Sequence, residues 1–299
     1  MLLNANTALS TTKALLVPYS PRHVPRYHEW MQDEEIQEAT ASEPLTLDEE
    51  YAMQRSWRLD PDKLTFIICR PIHIPIPPYS EAATSTSTSA GVINNINTAP
   101  TLTPEDDSPP NMIGDINLFL RIDDGDEGDS APQLIGEIEL MVAEKANQRR
   151  GFGRAALLIF LRYIAEHESG ILAEFVRGGI EEGGKGRFGL VSSSSTATAF
   201  AISGKAEGKG TEESEGKVGE GEGKNTGLEF SYLSVKIGQS NTRSLALFES
   251  LGFSKVSDEP NFFGEFELRR ANLETSDISE EMYRVEVEGY SEIVYRPGE

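Results

Sequence analysis

The chain has 299 residues, 38% of them hydrophobic, and a formal net charge of −22. A chain this acidic repels phosphates, which argues against nucleic acid or an anionic membrane as partner. It attracts cationic acceptors such as amines, although a solvated acidic surface is the plainer meaning of the same charge. Cys69 is the only cysteine, so no intrachain disulfide forms. No basic leader followed by a long apolar run opens the chain, and no stretch reaches the length of a membrane span. A cytoplasmic protein, or one shared with the nucleus, is the expectation.

In chain order, residues 13–19 predict a first strand, and Ser20-Pro21 a helix entry. Val24, Tyr27 and Met31 then fall on one helical face. Thr46 and Glu49 form a capping box opening a second helix to about Trp57, and residues 64–69 read as a buried strand. Residues 71–111 are rich in Pro, Ser, Thr and Asn without a period, and are expected to be a disordered insertion. Strands follow at 112–120 and 135–142, an antiparallel hairpin with a long acidic loop. After Gly153 a helix carries Ala156, Ile159, Phe160 and Tyr163 on one face. Residues 177–227 are a second low-complexity insertion. A strand at 230–237 precedes a helix capped by Asn241 and stopped at Gly252. Two further strands are expected near 253–256 and 262–268, and 271–299 is an acidic, weakly patterned tail. Without its insertions the order is that of a mixed α/β domain over 13–270, not a regular βαβ series.

The most specific chemistry lies where the acidic strand 135–142 leads through Gln148-Arg149-Arg150-Gly151-Phe152-Gly153 into a helix. That order gathers backbone N–H groups at a helix N-terminus, a ready diphosphate site. Gly151 and Gly153 let the main chain approach closely, and Arg149, Arg150 and Arg154 add positive charge. A rival pattern exists: Gly151-x-Gly153-x-x-Ala156, with Glu174 about twenty residues on, also satisfies a dinucleotide fingerprint. Against it, residues 143–150 separate the strand from the first glycine. The histidines have no metal-ligand spacing, and Cys69 reads as a small buried hydrophobe.

Two motifs resemble the Gcn5-related N-acetyltransferase (GNAT) superfamily. One is Gln148-x-x-Gly151-x-Gly153; the other is Asn241-x-x-Ser244-x-x-Leu247-Phe248-x-x-Leu251-Gly252-Phe253. Stretches including 23–31, 40–47, 50–54, 114–120 and 236–239 are similar to its N-acetyltransferase-nine-like subfamily. The resemblance implies the GNAT fold, acetyl-CoA as cosubstrate, no metal, and transfer of acetyl to a primary amine. The acceptor is expected to be a protein or peptide, with an N-terminal α-amino group favoured. It implies cofactor contacts from Gln148, Arg149, Arg150, Gly151, Phe152, Gly153, Arg154, Ala155 and Asn241, with amides near Val142 and Ala143 polarising the carbonyl. Glu137, eleven residues before Gln148, is the first candidate for general base, and Glu139 on the same strand face is the second. Residues 32–46 would shape the acceptor side. Two positions depart from the family: Phe248 replaces its tyrosine acid, leaving Ser244 or water to protonate the thiolate, and Lys236 stands where some members carry a glutamate. Phe248 and the insertions also motivate an alternative, a non-catalytic acetyl-CoA-binding interaction protein. The motifs do not specify oligomeric state.

Overall fold

The computed structural model describes residues 1–40, 42–72, 102–123, 132–181, 229–271, 273 and 280–296. Most of both expected insertions lies outside these residues. Nine strands form one sheet: β1 Thr7–Ser10, β2 Leu15–Pro18, β3 Lys63–Cys69, β4 Met112–Asp123, β5 Gln133–Val142, β6 Tyr232–Gly238, β7 Ser254–Lys255, β8 Glu265–Arg270 and β9 Ser291–Val294. Their order is β7-β8-β6-β5-β4-β3-β2-β1-β9. Each described pairing is antiparallel except β5 with β6, which is parallel.

Helices α1 Val24–Trp30, α2 Glu34–Thr40 and α3 Leu47–Leu59 join β2 to β3, and α4 Phe152–Glu181 joins β5 to β6. Helices α5 Thr242–Glu249 and α6 Glu280–Glu286 follow β6 and β8. The capping box of α3 forms as expected: Glu49 N–H donates to Thr46 Oγ1 at 3.4 Å, and Thr46 N–H to Glu49 Oε2 at 2.8 Å. Strand parity sends Leu64, Phe66 and Ile68 to the α4 side of the sheet, and Ile67 and Cys69 to the other. On the α4 side Phe66 packs edge-on against Phe160 at 6.0 Å and Tyr163 at 5.5 Å. Burying one such ring contributes about 1.5–3 kcal/mol. Every residue from Ala155 to Leu161 is buried, and α6 packs on α4. On the outer side Tyr19, Val24, Tyr27, Trp30 and Met31 pack on Ile67 and Cys69, so the helical face read through Val24, Tyr27 and Met31 is the one that docks.

Three expected boundaries are corrected. Residues 271–299 are not merely a tail: β9 pairs with β1 in the register Ala8↔Ile293, and Tyr295 is buried. The end of the first insertion is packed. Asp107 accepts from Tyr295 Oη at 2.7 Å, pairs with Arg22 at 2.8 Å and meets His23 Nε2 at 3.1 Å. The long helix runs to Glu181, past the expected start of the second insertion at 177. Strand β1 and helix α2 also escaped the pattern. β1 is four residues held by its two neighbours, and α2 buries no side chain.

Candidate active site

The site begins where two parallel strands part. β5 and β6 pair only from Ile135–Tyr232 to Glu137–Ser234, yet β5 continues to Val142 and β6 to Gly238. Beyond Glu137 a wedge opens between them. Backbone groups of a strand alternate in direction. Ala143 N–H is taken by Ile113 O on the β4 side at 3.0 Å, so it does not face the wedge, contrary to expectation. The alternate residues Val142 and Leu140 direct their N–H groups into it. Val142 was expected; Leu140 was not. Gly114, opposite Val142, has no room for a side chain: a Cβ there would lie 1.9 Å from Met141 O. That close approach sets the path of the β5 end.

The segment from β5 to α4 forms the expected amide cluster. Gln148 closes it by donating Nε2–H to Val142 O at 3.1 Å. Arg149 and Gly151 have positive φ, 63° and 89°. Among the described residues no acceptor meets the N–H groups of Arg149, Arg150, Gly151, Phe152 and Gly153. Ala155 differs: its N–H donates to Gly151 O at 3.0 Å and its side chain is buried, so it offers no amide. A Cβ on Gly151 would meet nothing within 4 Å, so its glycine answers the dihedral, and the space above the loop is open. At Gly153 a Cβ would make ordinary contacts with Leu140, Val142 and Leu247, so this fold does not itself demand glycine there. Arg149 and Arg150 are exposed, while Arg154 reaches Ser250 Oγ at 3.3 Å on the neighbouring helix α5. An acidic pair member, Glu144, anchors the other side, accepting from Trp30 Nε1 at 2.8 Å and pairing with Arg26. Amides, cations and open space fit a bound diphosphate.

Glu137 and Glu139 do share the outer face, but their surroundings differ. Lys236 Nζ donates to both Glu137 oxygens at 3.1 Å. No hydrogen bond from a described residue reaches the Glu139 carboxylate. Glu139 is solvent-exposed, yet protein crowds its carboxylate; lost hydration, then Asp115 and Glu137, push its pKa up to about 7. Asp115, buried on β4, is pushed up to about 6 by burial, against hydrogen bonds from Asn117 Nδ2 at 2.8 Å and Tyr27 Oη at 3.3 Å. Asp115, Asn117 and Tyr27 were not foreseen as part of this site; Asp115 and Asn117 at alternate positions of one strand were the available signal.

Helix α5 lies beside the start of α4. Asn241 caps it, accepting from Ser244 N–H at 3.1 Å, and Ser244 is half-buried. Phe248 is buried edge-on against Phe253 at 5.1 Å and serves the core. Glu174 lies on α4 itself, accepting from Leu2 and Leu3 N–H. A dinucleotide fold would place that acid at the end of a second strand, so the rival pattern fails. Cys69 is buried and its thiol is pushed well above the usual range by burial. Among the described residues no three His, Cys, Asp or Glu side chains gather to hold a metal.

The acetyltransferase (GNAT) domain family profile matches residues 13–254. An alpha/beta-tubulin-N-acetyltransferase 9 of Drosophila melanogaster is 41% identical over 163 residues, 54% of this chain and 65% of that protein. A Homo sapiens protein of the same name is 41% identical over 165 residues, 54% of this chain and 63% of that one. An N-acetyltransferase 9-like protein of Schizosaccharomyces pombe is 38% identical over 181 residues, 55% and 75% of the respective chains. The match thus spans just under two thirds of the length of the fly and human proteins. Among solved structures, spermidine N-acetyltransferase from Vibrio cholerae aligns with a TM-score of 0.43 at 11% identity, covering 87% of this chain and 94% of that one. That likeness is too distant to bear on chemistry.

Proposed function

The chain belongs to the acetyltransferase (GNAT) family, and from that premise we propose that it transfers acetyl from acetyl-CoA to a primary amine of a protein in the cytoplasm. An N-terminal α-amino group is the favoured acceptor. The names of the fly and human relatives extend the proposal to α/β-tubulin as that protein. The observation that carries it is the run of amides from Arg149 to Gly153 that no described residue pairs, beside a wedge with Glu139 at its lip.

Acetyl-CoA supplies an acetyl thioester. The Arg149–Gly153 amides hold its diphosphate, and the exposed Arg149 and Arg150 add positive charge. The Leu140 and Val142 amides face the wedge and polarise the acetyl carbonyl. Glu139 takes the proton that the attacking amine must lose, directly or through water, since its pKa near 7 matches working pH. The ion pair with Lys236 fits Glu137 for holding β5 against β6 rather than for accepting that proton. With Phe248 buried, water or the Ser244 hydroxyl protonates the departing thiolate.

A second proposal, an acetyl-CoA-binding interaction protein without turnover, is favoured by Phe248. Coenzyme A release measured with free-amine peptides, beside calorimetry with acetyl-CoA, separates the two. Amine-dependent release supports the enzyme. Tight cofactor binding with no release across α- and ε-amine peptides supports the binding protein. Loss of cofactor binding altogether rejects both.

A further inference from the structure

Next to Glu139 the outer face of the sheet carries a row of polar side chains that the acetyl-transfer chemistry above leaves unused. Thr65 on β3 stands opposite Asn117 on β4, and Asn117 opposite Glu139 on β5. Residues directly opposed on neighbouring strands project to the same face with Cβ atoms about 4.5–5.5 Å apart. The row therefore runs across three strands, from beneath α3, which packs on β3, out to the open lip of the wedge. Thr65 and Asn117 are 5% and 3% exposed. Among the described residues Thr65 Oγ1 and Asn117 Oδ1 are each buried without a hydrogen-bond partner. Asn117 is not free to turn that oxygen elsewhere, because its Nδ2 is held by Asp115 Oδ2 at 2.8 Å. A buried oxygen left open is costly, because it has given up water without gaining a partner. Native folds fill such positions with a donor, from protein, ordered water or a ligand, and a ligand ammonium would displace such water.

We propose that Thr65, Asn117 and Glu139 form a binding site for the terminal ammonium of the acceptor, a row of three oxygens for a group with three N–H donors. The site rests on the acetyltransferase assignment above and deepens it by placing the amine. The chemistry selects a primary ammonium over a secondary or quaternary one, because each further alkyl group removes a donor that one oxygen needs. The surroundings favour a cation. Asp115 adds a second carboxylate behind Asn117, Tyr27 donates to Asp115, and Lys236 is neutralised by Glu137. Bound this way, the ammonium passes one proton to the Glu139 carboxylate and becomes the neutral amine; the second proton, lost from nitrogen as the amide forms, passes by way of water or the Ser244 hydroxyl to the departing thiolate, so Glu139 takes one proton per turnover.

The test uses the full chain with coenzyme A present and n-butylammonium as probe. The Asn117 side-chain amide signal is followed in protein labelled with 15N-asparagine and assigned by its loss in Asn117→Leu. Saturable movement of this signal with n-butylammonium, but not with n-butanol or tetramethylammonium, is expected. In Thr65→Val, which keeps the side-chain shape, the affinity for n-butylammonium should fall about 10-fold, the scale of one charge-assisted hydrogen bond. In turnover assays Thr65→Val should raise KM for free-amine peptides by a similar factor and leave acetyl-CoA affinity unchanged. A signal that n-butylammonium leaves unmoved, or that n-butanol moves equally, overturns the site. So does an unchanged response in Thr65→Val. If the probe binds as expected and no peptide is acetylated, the site stands and the enzymatic assignment falls. If peptides are acetylated with unaltered KM in Thr65→Val, the reverse holds.

Discussion

The two faces of the sheet solve different problems. The α4 face is apolar almost throughout, with Phe66, Phe160, Tyr163 and their neighbours fully packed, and its functional groups are backbone amides at the head of α4. The outer face has a smaller apolar cluster under α1, and beside it buried side-chain oxygens that no described residue hydrogen-bonds: Thr65 Oγ1, Asn117 Oδ1, Ser234 Oγ and Tyr19 Oη. Backbone amides tolerate side-chain change and ask for conformation. Side-chain acceptors ask for identity. The diphosphate side should therefore break through glycine dihedrals, and the amine side through single-atom substitutions.

The largest effect is expected from Gly151→Val, because a β-branched residue at φ 89° is strained and displaces the loop amides. Acetyl-CoA affinity should fall about 100-fold by calorimetry, and undiminished binding would remove the loop from the site. On the other face, Glu139→Gln should lower kcat about 10²-fold while preserving acetyl-CoA affinity. Glu137→Gln should cost much less, and equal losses from the two would erase the distinction between them.

A third measurement is the pH profile. With the ionised form of Glu139 as the proposed base, at a pKa of about 7, and the acceptor entering as its ammonium, kcat/KM should rise with pH through about 7 and fall again above the acceptor's own pKa, about 8 for an α-amino group. The groups that act on this carboxylate are Asp115 and Glu137, which raise its pKa, and Lys236, which lowers it. Removing the Glu137 charge should therefore shift the midpoint to lower pH, and a shift to higher pH would contradict the arrangement. The smallest effect belongs to Asn241→Ala, which loses the α5 cap and about 1 kcal/mol of stability, read as a lower melting temperature.

The cofactor half of the site is legible in the amino-acid sequence, because its signal is local: Gln148, Gly151 and Gly153 lie within six residues, and strand, loop and helix are consecutive. The same locality makes the capping box of α3 and the face of α4 readable. The amine half is not legible there, since Thr65, Asn117 and Glu139 become neighbours only through β3–β4–β5 register, which no motif encodes. The roles of Glu137 and Glu139 turn on Lys236, 99 residues from Glu137 in the chain. Composition also misjudges 102–111 and the C-terminal segment, whose order depends on partners such as Tyr295 for Asp107, 188 residues away.

By itself the amino-acid sequence determined the mixed α/β class and the strand–loop–helix order around Gly151, because periodicity, caps and glycine spacing act over a few residues, and two short motifs carried the resemblance to the family. The tertiary structure alone decided where β5 and β6 part, which amides face the wedge and which glutamate Lys236 pairs. Those properties come from strand register and from charges meeting across distant segments, where one residue's environment is supplied by the rest of the fold.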